Sequence, residues 1–273
     1  MFGQPVAENP TQAMVEPAYR HHDLDWRYLT IEVAPEDLAA AVEGARVMGF
    51  RGFNLTIPHK VAVMEHLDEI GESAKLIGAV NCVVRRGDKL VGENTDGKGF
   101  LESLKERRNP AGKRVMILGA GGAARAIGVE VALAGAHSIA LFNRSEERGR
   151  ELVSHLRENT GVKAGYHGWA EGMVVPEGTD IVINATSIGL YPDTNGCAPL
   201  DFDTLSPNAI VADVIPNPPA TRFLAEAAKR GCETIDGLGM LVNQGRIGIN
   251  YWTGVEPETG VMRNALESLF AAG

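Results

Sequence analysis

The segment from Lys113 to Arg148 most constrains what this chain can fold into. An apolar run, Val115-Met116-Ile117-Leu118, meets Gly119-Ala120-Gly121-Gly122-Ala123-Ala124, and a small-residue helical stretch follows. A second run, Ser138-Ile139-Ala140-Leu141-Phe142, ends on Asn143-Arg144-Ser145. The order is strand, glycine turn, helix, strand, the unit that holds a dinucleotide pyrophosphate at a helix N-terminus. Gly119 permits the sharp bend, Gly121 lets backbone approach phosphate, and Ala124 lets helix and strand pack closely. Alone the glycines fit any strand–helix turn. Asn143 and Arg144 stand where such units usually carry an acid for the ribose. A cation there suits a 2′-phosphate, through a charge-assisted bond and stacking on adenine, so the expected cofactor is NADP. Arg148, four residues on, adds charge or is simply solvated.

Composition narrows the class. The chain has 273 residues, 44% of them apolar, enough for one large or two ordinary domains. Its net charge of −9 argues against a sequence-independent nucleic-acid surface. Three scattered cysteines, Cys82, Cys197 and Cys232, form neither a disulfide frame nor a zinc motif and suit a reducing cytoplasm. There is no signal-peptide pattern, no 18-residue apolar run and no HExxH or paired ligand spacing. Neither a membrane span nor a metal site is expected. His21 and His22 should point apart on a helix.

Before Lys113 the pattern alternates. Trp26 to Val33 reads as a strand, Pro35 opens a helix, Gly52 to Thr56 is a short strand stopped by Pro58, and Val61 to Ile70 has helical spacing. Ala79–Val84 and Lys89–Asn94 form strands around Arg86-Gly87-Asp88. The charged turn Glu106–Gly112 suggests a boundary. Later strands fall at Asp180–Asn184, Ala209–Val214 and Glu233–Ile235, and the tail from Gly239 is helical with a break at Trp252 to Gly260. The expected fold is α/β: an α/β domain at 1–106, a Rossmann-type domain at 107–238, and C-terminal helices at 239–273 returning to the first domain.

A second cluster lies in that first domain. Asn54-Leu55-Thr56-Ile57-Pro58-His59-Lys60 puts a lysine just after a strand and a proline turn. Asn94-Thr95-Asp96-Gly97 offers a carboxylate at another strand end. A Lys and an Asp so placed make a proton-transfer pair, or a structural ion pair. His59 is read as positional rather than as an acid or base.

These motifs, with Gly78-Ala79-Val80-Asn81, Asn184-Ala185-Thr186-Ser187-Ile188-Gly189, Asp236 to Gln244 and Trp252-Thr253-Gly254, occur in the order seen in shikimate dehydrogenases. The resemblance covers essentially the whole chain. It implies two α/β domains with the active site in the cleft between them, and NADP-dependent reduction of 3-dehydroshikimate to shikimate. Lys60 and Asp96 would be the catalytic pair, and Asn81, Thr56 and Gln244 would hold ring hydroxyls. Thr186 and Ser187, with Gly237 and Met240, would line the nicotinamide side, unless Thr186 only caps a turn.

Two departures sit at the substrate end. Asn9-Pro10-Thr11-Gln12 stands where the family has Ser-x-Ser-Pro, whose serines bind the substrate carboxylate, and Val15-Glu16 replaces His-Asn. Asn9 and Thr11 keep the number of donors but not obviously their geometry. Pro216 follows Asp213-Val214-Ile215 where the family often has tyrosine. The first strand is also short, with only Met1-Phe2 before Gly3. Asn9 and Thr11 leave open a paralogue acting on quinate or an aminated analogue. A catalytically silent NADP-binding sensor of this fold is the alternative from another class, and the presence of both Lys60 and Asp96 argues against it. A small-molecule substrate is the expected partner, with no nucleic acid or membrane, and a monomer or homodimer the expected state.

Overall fold

The structure is a computed structural model that describes residues 1–272. In chain order it runs β1 (Phe2–Gly3), α1 (Thr11–His21), β2 (Ile31–Glu32), α2 (Leu38–Val47), β3 (Gly52–Asn54), α3 (His59–Ala62), β4 (Glu69–Ile70), α4 (Glu72–Ile77), β5 (Cys82–Arg86), β6 (Lys89–Glu93) and α5 (Thr95–Lys105). It continues β7 (Arg114–Leu118), α6 (Gly122–Leu133), β8 (Ser138–Asn143), α7 (Glu146–Thr160), β9 (Lys163–Gly168), β10 (Ile181–Asn184), β11 (Ile210–Asp213), α8 (Arg222–Lys229), β12 (Glu233–Ile235), α9 (Gly237–Thr253) and α10 (Thr259–Ala272). The fold is α/β.

Two compact units result: Met1–Asp96 with the chain from Val242 onward, and Gly97–Leu241. The chain passes from one to the other inside α5 and back inside α9, so the charged turn Glu106–Gly112 lies within the second unit. The reason is close packing of α5 on its neighbours. A Cβ at Gly97 would meet the Ala126 carbonyl oxygen at 2.6 Å, and one at Gly239 would meet Ser103 Oγ at 2.7 Å.

The second unit holds a six-stranded parallel sheet in the order β12-β11-β10-β7-β8-β9. Val115 to Leu118, Ile181 to Ile183 and Ile210 to Ala212 are all buried, as strands covered on both faces must be. No apolar pattern marks β9, whose Lys163-Ala164-Gly165-Tyr166-His167-Gly168 is held by pairing with β8. Helix α7 has a full set of end signals: Ser145 Oγ accepts from Arg148 N, Glu146 and Glu147 fill the first turn, and Gly161 closes it at φ 72°.

The first unit carries a four-stranded sheet, β3-β5-β6-β4, and the parallel pair β1-β2. A bridge from Phe2 to Leu55 links them, and the rings of Phe2 and Phe53 stack at 4.7 Å. Helix α10 lies on α1, and Gly245 of α9 lets the three close up, since a Cβ there would meet Met14 Cε at 2.5 Å.

Three sequence expectations give way in the first unit. The strand expected from Trp26 to Val33 is only Ile31–Glu32, because β1 offers it only Phe2 and Gly3 as partners. The helix expected from Val61 to Ile70 breaks after Ala62 into a 3-10 turn and then β4. Asp68 draws the segment onto β6: its N–H donates to the Leu90 carbonyl at 3.0 Å, and its carboxylate accepts from Leu90 N at 2.7 Å. His21 and His22 likewise do not point apart. Their rings meet edge to face at 5.1 Å, because His22 lies past the last helical residue, at φ −100°.

Candidate active site

Lys60 and Asp96 reach each other through backbone that fixes both. Residues Leu55 to Lys60 leave β3 and turn at once: Leu55 N donates to the Asn81 carbonyl at 2.9 Å, Thr56 N to the Phe2 carbonyl at 3.0 Å, and Val80 N to the Lys60 carbonyl at 2.7 Å. His59 is 1% exposed and its Nε2 lies 2.7 Å from the Val33 carbonyl, so the ring anchors the turn. That leaves the next side chain, Lys60, reaching outward. Asp96 sits in the first turn of α5, where the helix dipole favours an anion.

Lys60 Nζ donates to Asp96 Oδ2 at 2.6 Å, with both side chains partly open to solvent. Asn81 holds the other carboxylate oxygen, its Nδ2 donating to Asp96 Oδ1 at 2.8 Å. Asn81 is itself clamped by Thr95, whose backbone N–H donates to Asn81 Oδ1 at 2.6 Å, and Asn81 Nδ2 also donates to Thr95 Oγ1 at 3.0 Å. Thr95, 0% exposed, is not among the residues that the motifs single out for a role. Its signal was its place as the hydroxyl residue just before the acid at a helix start. The result is an ammonium–carboxylate pair with one face toward solvent, able to give a proton to an oxygen placed beside Nζ.

The remaining expected substrate contacts belong to the same unit. Asn9 and Thr11 lead into α1, where Asn9 Oδ1 accepts from Thr11 N at 3.0 Å and Thr11 is 2% exposed. Val15 is buried outright, and Glu16 Oε1 accepts from Tyr28 N at 2.7 Å. Thr56 lies over Gly3, where a Cβ would come within 2.3 Å of Thr56 Cγ2. Gln244 is buried on α9 beside Gly245. Asn81 is hydrogen-bonded to Asp96 of the pair, and Thr95 is bonded to Asn81.

The second unit carries the residues expected at the nucleotide. Gly119 has φ 107°, and a Cβ there would meet the Ala185 carbonyl oxygen at 2.8 Å, so only glycine fits. Gly121 and Gly122 face open space, and Gly121 is the N-cap of α6, with no side chain to cap it. Ala120 and Ala123 are half-buried in this turn and Ala124 is fully buried under it. The free N–H groups and the open glycine face fit a pyrophosphate.

At the end of β8, Asn143 Nδ2 donates to the Ser145 carbonyl at 2.8 Å and its own carbonyl accepts from Tyr166 Oη at 3.1 Å. The Arg144 guanidinium lies 6.0 Å from the centre of the Trp169 ring, a contact that no local pattern marks, while Arg148 is exposed. Both cations are free to meet a 2′-phosphate. Thr186 does cap a turn: its hydroxyl donates to Asn184 Oδ1 at 2.7 Å and accepts from Ile188 N at 3.2 Å. Its methyl nevertheless faces Gly119. Ser187 beside it is exposed. Gly237 and Met240 occupy the first turn of α9, with Gly237 pressed against the backbone of Ile215. Among the described residues no three His, Cys, Asp or Glu side chains cluster as a metal site, and no helix is long and apolar enough to cross a membrane.

Three family models match the chain: the shikimate dehydrogenase substrate-binding domain over residues 1–83, the shikimate/quinate 5-dehydrogenase model over 102–192, and the shikimate 5-dehydrogenase C-terminal domain over 237–267. The shikimate dehydrogenase (NADP(+)) of Desulforamulus reducens is 40% identical, covering 100% of this chain and 95% of the relative. The ligand-free 5-ketofructose reductase of Gluconobacter sp. strain CHM43 is 54% identical at a TM-score of 0.96, covering 98% of this chain and 97% of the other. A shikimate dehydrogenase solved in complex with NADP+ is 38% identical at a TM-score of 0.91, covering 98% and 94%. With a catalytic-type Lys–Asp pair in one unit, a nucleotide turn in the other and relatives matched end to end, the chain belongs to the shikimate dehydrogenase family.

Proposed function

We propose that this chain is an NADP(H)-dependent oxidoreductase that interconverts a ring ketone and its secondary alcohol, with 3-dehydroshikimate and shikimate as the family's pair. The Lys60–Asp96 contact, buttressed by Asn81 and Thr95, carries this reading. NADPH, when bound, supplies the hydride. Lys60 gives its Nζ proton to the ketone oxygen as the carbonyl carbon is reduced. Asp96 aims the ammonium and takes a hydrogen bond from the neighbouring hydroxyl. Thr56 and Gln244 hold further hydroxyls, while the carboxamide of Asn81, taken up by Asp96 and Thr95, serves the site through the carboxylate. Arg144, with Arg148 near it, selects the 2′-phosphate, and Gly119 to Ala124 take the pyrophosphate. Thr186, Ser187, Gly237 and Met240 line the nicotinamide side. The free cysteines suit a cytoplasmic enzyme.

A second reading, on the substrate, is favoured by the end of the site at α1. Asn9 spends its carbonyl oxygen on a turn and Thr11 is buried, where the family sets two serines for a carboxylate. The structure that is 54% identical is named for 5-ketofructose, a keto sugar without a carboxylate. On this reading the ketone is an uncharged polyol. The deciding measurement is kcat/KM for 3-dehydroshikimate, for the ketone of quinate and for 5-ketofructose, each with NADPH and NADH. A tenfold or greater preference, about 1.4 kcal/mol, for the carboxylated rings supports the first reading, and the reverse supports the second. Tight NADPH binding with no turnover of any ketone would overturn both and leave a sensor.

A further inference from the structure

Asn81 binds the catalytic carboxylate with its side chain, and its backbone is held from behind. The Asn81 carbonyl accepts two donors, Leu55 N at 2.9 Å and Asn54 Nδ2 at 3.0 Å. The carboxamide of Asn54 in turn lies 2.5 Å, through Oδ1, from the Tyr28 hydroxyl. All three side chains are nearly closed to solvent, at 5% for Tyr28 and 3% each for Asn54 and Asn81.

The direction of these bonds follows from chemistry. A backbone carbonyl only accepts, so the Asn54 atom facing Asn81 is the amide nitrogen. The oxygen then faces Tyr28, whose hydroxyl must donate. Burial pushes the Tyr28 phenol well above its usual range, so it keeps that proton. A polar side chain at the end of β3, between buried Phe53 and Leu55, is costly unless satisfied, and here both ends are. Because Leu55 N also holds the Asn81 carbonyl, the Asn54 side chain is not needed to close the strand. What it adds is a second constraint on where Asn81 sits.

We infer that Tyr28 and Asn54 are positioning residues for the Lys60–Asp96 pair, acting through Asn81. Tyr28 fixes the Asn54 amide, Asn54 fixes the Asn81 backbone, and Asn81 fixes the Asp96 carboxylate against Lys60. This rests on the reading of Lys60 and Asp96 as the reacting pair.

The test is steady-state kinetics of full-length Tyr28→Phe, Asn54→Ala, the double variant and Lys60→Ala, with the substrate that the panel selects. Thermal unfolding and NADPH binding are measured on each. In Asn54→Ala, kcat falls roughly tenfold, and in Tyr28→Phe about threefold to fivefold, the size of one buried hydrogen bond. KM for ketone and NADPH affinity stay within about twofold. Adding Tyr28→Phe to Asn54→Ala costs nothing further, since its target is gone. Unchanged kcat in both single variants, or fully additive losses, overturns the inference. So does a loss that appears only as unfolded protein in the milder Tyr28→Phe. Turnover retained by Lys60→Ala instead sinks the underlying reading.

Discussion

Lys60 Nζ lies 2.6 Å from Asp96 Oδ2, although 36 residues separate the two. One leaves β3 through a tight turn and the other opens α5, and Asn81 at the start of β5 is bonded to both segments. Asn81 ties the segment of Lys60 to that of Asp96, so hydrogen bonds to backbone and side chain fix where the two groups meet.

Removing the Lys60 ammonium therefore tests the proposed role of the pair directly. Lys60→Ala is expected to lose about 10²–10⁴-fold in kcat, the usual worth of a positioned acid. NADPH affinity should stay near that of the parent protein, because the nucleotide residues lie in the other unit. Single-turnover measurement with saturating NADPH separates the chemical step from binding. Equal turnover by Lys60→Ala would show that another group supplies the proton.

Cofactor choice is expected to rest on Arg144 and on the ring beneath it. Arg144→Ala should cost about 10–100-fold in NADPH affinity, the loss of one charge-assisted bond, with NADH little affected. Trp169 sits 6.0 Å from the guanidinium and limits where it can swing. Trp169→Ala should weaken NADPH by about threefold to fivefold, the worth of an exposed cation–π contact. Fluorescence titration with both nucleotides reads this without turnover. A parallel loss of NADH affinity in Arg144→Ala would assign that arginine to adenine rather than to the phosphate.

Much of the fold was legible because its signals are local. Val115 to Leu118 is apolar on both faces and runs into glycines, which few structures other than a central parallel strand and a phosphate turn can use. Segments whose state depends on a distant partner were not. Tyr28 is buried and Leu29 exposed, the alternation of a strand, yet β1 offers partners only to Ile31 and Glu32. Val61 to Ile70 is spaced as a helix, and a hydrogen-bonded Asp68 pulls its second half onto β6. The site divides in the same way. Lys60, Asp96 and Asn81 stand in short motifs, whereas the Tyr28–Asn54 contact spans 26 residues and no local pattern announces it. Asn9 and Thr11 show a further limit: residue type gave two donors, but the fold uses one as a turn cap and buries the other.

Asp213 ends β11 and makes the second unit's stability depend on pH. Its Oδ1 accepts from Asn184 Nδ2 and Ile215 N, both at 3.1 Å, and its Oδ2 from Thr221 Oγ1 at 2.8 Å. Desolvation outweighs these bonds and raises its pKa above the ordinary carboxylate range. A folded-state value above the unfolded one means that the native protein binds more protons between the two. Stability from this group is therefore full below the unfolded value, about 3.9, and is lost as pH rises through the folded value. Asp213→Asn keeps the Oδ1 acceptor and presents an N–H to Thr221, whose hydroxyl can turn to accept. Urea unfolding of parent and variant at several pH values from 4 to 7 should show the variant gaining relative stability as pH rises. A difference that is flat with pH, or that reverses, would mean that the carboxylate is charged in the fold and that its hydrogen bonds offset its burial.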